Sequence, residues 1–190
     1  VNSFNTQVSI MILQKKKNTF IRRIQRFFPN FAIMNISWSE IKPYENELPT
    51  NYADRIGRLY TDTVTAAFKK SNGQFFTPVS IAYFMGRQIS VNKDFISVLD
   101  PGCGTAILSC AVIENLVLQS KVKRIELVTY ETDENLIPGL QKVLEYITMW
   151  GMRHNVRIDC RSYCEDFILS NYSVLYSDTI YERAENLQKY

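Results

Sequence analysis

Three acidic residues of the 190-residue chain, Asp100, Glu131 and Asp166, each follow a stretch with strand character. Asp100 leads into Pro101-Gly102-Cys103-Gly104-Thr105. Two glycines around one small residue let backbone approach a ligand closely, and a helix opening behind them offers unpaired N–H groups. The Asp100 carboxylate makes this mouth a poor phosphate site and a better one for a ligand carrying positive charge. Glu131 follows the glycines at close to the spacing at which an acid accepts from ribose hydroxyls. Asp166 comes a few residues past the third strand and stands beside an aromatic, Phe167. Each acid alone is equally well read as a solvated strand-end residue. Three at successive strand ends, with an aromatic, suit a ligand bearing an amine, a ribose diol and a purine.

The elements that must position them alternate. Phe95 to Leu99, Arg124 to Glu131 and Asn155 to Cys160 read as strands, separated by helices over Thr105 to Leu118 and Asp133 to Trp150, with Gly151 as the stop. Unbroken apolar strand residues between helices argue for a parallel sheet covered on both faces, with ligands at the carboxyl ends of its strands. Upstream, Trp38 to Pro49 is polar and reads as a loop with at most one short turn. Tyr52 to Phe68 carries Ile56, Tyr60, Val64, Ala67 and Phe68 at helical spacing. A further helix is predicted from Thr77 as N-cap and Pro78 as its first residue, running through Ile81, Phe84 and Met85 towards Ile89. Phe75 and Phe76, just before that helix mouth, are placed to wall a pocket for a planar group.

Length and a 46% apolar composition allow one main core. The sequence has no stretch long enough to cross a membrane, and a cytoplasmic protein is expected. Cys103, Cys110, Cys160 and Cys164 make no C-x-x-C pair, so reduced thiols and no metal site are expected. The net charge of +3 hides an asymmetry: residues 1–33 hold six basic side chains and no acid, leaving the remainder at −3. A basic arm on a mildly acidic body suits nucleic acid. Within the arm, Phe20, Ile21, Ile24, Phe27, Phe28 and Phe31 recur at helical spacing, and 1–33 is expected to be peripheral.

Nicotinamide dinucleotides are the obvious competitor for a glycine turn after a strand. Their fingerprint requires a third glycine where Ile107 stands, and Asp100 opposes a pyrophosphate. S-adenosylmethionine, with a cationic amino group and sulfonium, answers both objections.

The runs GQFFTP (Gly73 to Pro78), DPGCGT (Asp100 to Thr105), YETD (Tyr130 to Asp133) and EDF (Glu165 to Phe167), in this order, resemble the N6-adenine DNA methyltransferases of restriction–modification systems, type I modification subunits and fused type II enzymes above all. The resemblance covers about residues 40–170. It implies a partial S-adenosylmethionine-dependent methyltransferase (Rossmann-like) α/β fold with parallel strands, preceded by a helical N-terminal segment. Three regions follow: a basic segment 1–33, a loop and helix over 34–72, and a cofactor-binding domain over 73–190. It implies Phe75, Phe76 and Thr77 at the methionine portion of S-adenosylmethionine, Asp100 at its amino group beside Gly102 and Gly104, Glu131 at the ribose, and Asp166 with Phe167 at the adenine.

Two departures qualify these expectations. The family usually has glycine where Ala106 stands, a position a helical residue would tolerate. The family's Asn-Pro-Pro-aromatic tetrapeptide, which polarises the target adenine and stacks on the flipped base, does not occur in these 190 residues. The expectation is therefore an S-adenosylmethionine-binding portion of a DNA adenine-N6 methyltransferase, inactive alone, with DNA and a completing polypeptide or specificity subunit as partners. The alternative is a non-catalytic remnant or partner-binding module. A methyltransferase acting on RNA or protein shares the cofactor motifs but rarely the GQFFTP-like entry. In the family's strand order the strand over residues 95–99 lies mid-sheet, so without a fourth strand its edge is expected to stay unpaired.

Overall fold

The structure, a computed structural model, describes residues 36–71 and 74–171. The basic arm and the expected final helix around Ile180, Ala184 and Leu187 lie outside these residues. The described chain falls into two compact units, one of residues 38–57 and 76–171, the other of 36–37, 58–71 and 74–75.

In the larger unit a 3-10 turn (Trp38–Glu40) precedes helix α1 (Pro49–Thr63), whose first turns belong here. Then come α3 (Val79–Gly86), β1 (Phe95–Asp100), α4 (Ile107–Gln119), β2 (Arg124–Tyr130), α5 (Ile137–Arg153), β3 (Arg157–Tyr163) and the short α6 (Phe167–Ser170); α2 (Ala66–Ser71) lies in the smaller unit. The three strands are parallel, in the order β1-β2-β3, with Ile96, Ile125 and Ile158 in one row and Val98, Leu127 and Cys160 in the next. Both crossovers step the same way across the sheet. Right-handed connections therefore place α4 and α5 on one face, and Ile125, Leu127 and Ile158 are buried there with Ile113, Leu140, Val143 and Ile147.

The opposite face differs from the expected two-sided burial. Its rows carry Phe95, Arg124 and Arg157, then Ser97, Glu126 and Asp159, then Leu99, Val128 and Arg161. None of these side chains joins the core. Arg124 and Arg157 both pair with Asp159 (2.9 and 2.8 Å), and Arg161 pairs with Glu126. The alternation of β2 and β3 was visible in the sequence: apolar residues at every second position suit a sheet buried on one side. Among the described residues, β1 pairs only with β2.

Several helix limits move. The stretch read as one helix from Tyr52 to Phe68 is two, α1 and α2. The break falls in a run of β-branched residues. Thr63 turns its hydroxyl back to the Tyr60 carbonyl (2.7 Å), and Thr65 caps the next helix by accepting the Phe68 N–H (3.1 Å). Pro78, rather than Thr77, is the N-cap residue of α3, with no side-chain cap bond, and the helix ends at Gly86 instead of nearing Ile89. Gly86 is where α3 meets α4: a Cβ there would lie 2.7 Å from the Ala111 backbone. Gly151 does not stop α5. The helix runs to Arg153 and closes on Asn155 (φ 58°), with Val156 N–H bonding to Gly151 O (2.9 Å) and Asn155 N–H to Met152 O (3.1 Å).

Within this unit α1 is anchored at its start by a residue far along the chain. Glu114, 3% exposed in α4, accepts the Thr50 N–H at 2.5 Å. Burial raises the Glu114 carboxyl above its usual range, while the bonds from Thr50 and Tyr83 pull it down; burial and the Glu114 charge push the Tyr83 hydroxyl up to about 12. A carboxyl raised on folding contributes stability that is present below its unfolded pKa and lost as pH rises through the folded value. Unfolding in urea between about pH 4 and 8 should show that loss in the parent, and Glu114→Gln, which keeps an acceptor but does not titrate, should flatten it. Glu114→Ala should lose about 2 kcal/mol near pH 4, because the Thr50 N–H is then buried without an acceptor, and the deficit should shrink as pH rises and the parent loses the Glu114 contribution.

Candidate functional site

The carboxyl ends of the three strands converge on one carboxylate. Glu131, one residue past β2, accepts the Gly104 N–H on one oxygen (2.9 Å) and the Asp133 N–H on the other (2.8 Å). Its own N–H donates to the Tyr163 carbonyl of β3 (3.0 Å), and the Cys103 N–H donates to Tyr130 O (3.0 Å). The glycine turn after β1 is thereby tied to the ends of β2 and β3. Glu131 spends one acceptor position per oxygen on this; a carboxylate has about four.

Asp100 closes β1. Its Oδ2 accepts the Ser109 hydroxyl at 2.6 Å, and the carboxylate also accepts the Gly102 N–H. Burial raises its pKa, and these two bonds act against the rise. Of the two glycines, Gly104 is demanded by the fold: its φ is +55°, and a Cβ would stand 3.4 Å from the Phe76 ring. Gly102 is not. Its φ is ordinary and a Cβ there would meet nothing within 4 Å, so its missing side chain leaves open space beside Asp100. Thr105 adds a hydroxyl that is buried and has no hydrogen-bond partner.

Phe76 lies over this turn, its ring against Gly104 on one side and Gly57 of α1 on the other, where a Cβ would come within 3.3 Å of it. Thr77 beside it is half-buried. Phe75 belongs to the smaller unit and is 84% exposed there. Phe167 packs edge-on against Tyr130 (5.1 Å between centroids), which stacks on Tyr163 (4.9 Å). Asp166 N-caps α6, its Oδ1 accepting from Ile168 and Leu169 N–H (2.9 and 3.0 Å); such a cap contributes about 1 kcal/mol. Asp100, Gly102, Gly104, Glu131 and Phe76 thus gather at the glycine turn, with Phe167 reaching it through Tyr130.

Ala106 needs a correction. It is not helical but left-handed, φ 60° and ψ 30°, at the N-cap of α4. That conformation disfavours a Cβ by about 1 kcal/mol. Here the methyl is fully buried in the core, an offsetting gain. Ser109 carried no signal in the sequence, and Tyr130 stood out only as part of the YETD run; the contacts they make arise across strands and helix.

The arrangement is a Rossmann-like half: parallel strands with a glycine turn and two carboxylates at their carboxyl ends. Residues 51–139 match the family profile N-6 DNA Methylase. It is 31% identical over 90 residues to the type II methyltransferase M.AccI of Acinetobacter calcoaceticus, covering 47% of this chain and 16% of that one. It is 32% identical over 114 residues to the type II methyltransferase M.BsuBI of Bacillus subtilis, covering 59% and 22%. The chain therefore spans less than a quarter of the length of either relative. A Listeria monocytogenes structure described as a class I S-adenosylmethionine-dependent methyltransferase aligns with a TM-score of 0.36 and 18% identity, over 70% of this chain and 36% of that one. Among the described residues there is no cluster of metal-binding side chains, and no helix is long and apolar enough to cross a membrane.

The two glycines separate scaffold from site. Gly104→Ala should lose roughly 1–3 kcal/mol in urea unfolding, from backbone strain and the Phe76 contact. Gly102→Ala should stay within about 0.5 kcal/mol of the parent and show its effect only in ligand binding.

Proposed function

We propose that this chain supplies the S-adenosylmethionine-binding part of a DNA adenine-N6 methyltransferase of a restriction–modification system. One observation carries the reading: the glycine turn holds Asp100 and Glu131 together, with Phe76 over it and the Asp166–Phe167 pair linked to it through Tyr130. The residues fit the cofactor. Gly102 leaves room where a side chain would intrude, the Thr105 hydroxyl lacks a partner, and two carboxylates keep acceptor capacity beyond the bonds they make. Asp100 would hold the amino group, Glu131 the ribose hydroxyls, Asp166 and Phe167 the adenine, and Phe76 and Thr77 the methionine portion. When bound, S-adenosylmethionine supplies an electrophilic methyl group on a sulfonium.

The acceptor in this reading is adenine in DNA. The 190 residues contain no Asn-Pro-Pro-aromatic run, so the chain by itself should bind cofactor without transferring its methyl group. A second polypeptide, or further chain, that pairs with the β1 edge left open among the described residues would complete the sheet. That same edge supports a second reading, a partner-binding module that keeps the fold without the cofactor.

Calorimetry with S-adenosylmethionine decides between the two. The proposed function gives saturable binding, abolished or strongly weakened by Asp100→Ala, and about 2.7 kcal/mol of added stability at one hundred times the Kd. Equal binding by the Asp100→Ala chain overturns the assignment of the site. Methylation of DNA by the purified chain would falsify the claim that it binds without transferring.

A further inference from the structure

Serine is a middling helix former because its hydroxyl competes for backbone groups, and inside a helix it commonly bonds back to the carbonyl one turn earlier. Other hydroxyls here behave in that way: Ser120 donates to Leu116 O (2.6 Å) and Thr148 to Leu144 O (2.9 Å). Ser109 does not. It is 3% exposed in the first turn of α4, and its hydroxyl crosses to Oδ2 of Asp100 at 2.6 Å, the length of a charge-assisted O–H···O⁻ bond. The bond joins the helix behind the glycine turn to the carboxylate in front of it, and so fixes the side chain that closes β1.

We propose that Ser109 is a positioning residue of the cofactor site: its hydroxyl engages one oxygen of Asp100 and reserves the remaining acceptor capacity for a ligand's ammonium group. The inference rests on the cofactor reading above for the identity of that ligand, and on geometry alone for the coupling of Ser109 to Asp100. Without the hydroxyl, burial would act on Asp100 with only the Gly102 N–H against it, and the carboxyl would move further up. The titratable groups around it are Glu131 and the thiols of Cys103 and Cys110; burial is the main cause raising both thiols, so they stay protonated at neutral pH.

The test compares the full chain with Ser109→Ala and Ser109→Thr, using two probes, S-adenosylmethionine and 5′-methylthioadenosine, which lacks the amino-acid portion. Ser109→Ala should weaken S-adenosylmethionine binding by about tenfold or more and leave methylthioadenosine within about twofold. The pH below which S-adenosylmethionine affinity falls should move up, and Ser109→Thr should restore most of the loss. Equal weakening of both probes, or no weakening of either, overturns the proposal. If the parent binds neither probe, the cofactor reading fails by itself. The Asp100 carboxyl is then titrated by NMR in both chains: a higher pKa in Ser109→Ala upholds the coupling, and an unchanged one overturns it.

Discussion

One carboxylate holds the functional end of this molecule together. Glu131 accepts N–H groups from Gly104 and Asp133 and donates its own N–H to Tyr163, so three loops from three strands meet on a single residue. Hydrogen bonds to a charged acceptor are stronger than neutral ones and directional. The left-handed backbone at Gly104 and Ala106, strained for alanine, persists because the turn is fixed from both sides. The same bonds that shape the turn leave Glu131 with spare acceptor capacity.

The sheet explains why the site sits at an end and not on a face. Strands added in one direction put their crossover helices on one side, and the core forms there around Ile125, Leu127 and Ile158. The other face carries paired arginines and acids, and among the described residues β1 has a neighbour on one side, β2. Growth of the sheet beyond β1 in the opposite sense would carry its helices to the charged face, as in doubly wound folds, whose ligands bind where the strand order reverses. Asp100 and the glycine turn stand at that strand.

Much of this was legible in residue types. The Asp100–Thr105 turn, the acids after β1 and β2, and the helix–strand alternation follow from apolar runs punctuated by glycine and acids. What escaped depended on contacts between elements. A threonine run reads as helix until Thr63 and Thr65 turn their hydroxyls to the backbone. Gly151 reads as a stop, yet it serves packing against Ile158 while Asn155 ends the helix. Ala106 reads as an ordinary first residue of a helix because the left-handed cap is set by the turn around it. Ser109 and Glu114 read as polar residues on apolar helices, and only the fold supplies their partners, Asp100 and the Thr50 N–H. The one-sided sheet was the avoidable miss, since β2 and β3 alternate plainly.

The account stands on a ligand gathered by the carboxyl ends of three strands. Titration of the ¹⁵N-labelled chain with S-adenosylmethionine, followed amide by amide, tests it most directly. The account predicts saturable shifts confined chiefly to residues 100–106, 131–133 and 166–168, all with one dissociation constant. A saturating titration that moves none of these amides, or moves only amides elsewhere, would contradict it.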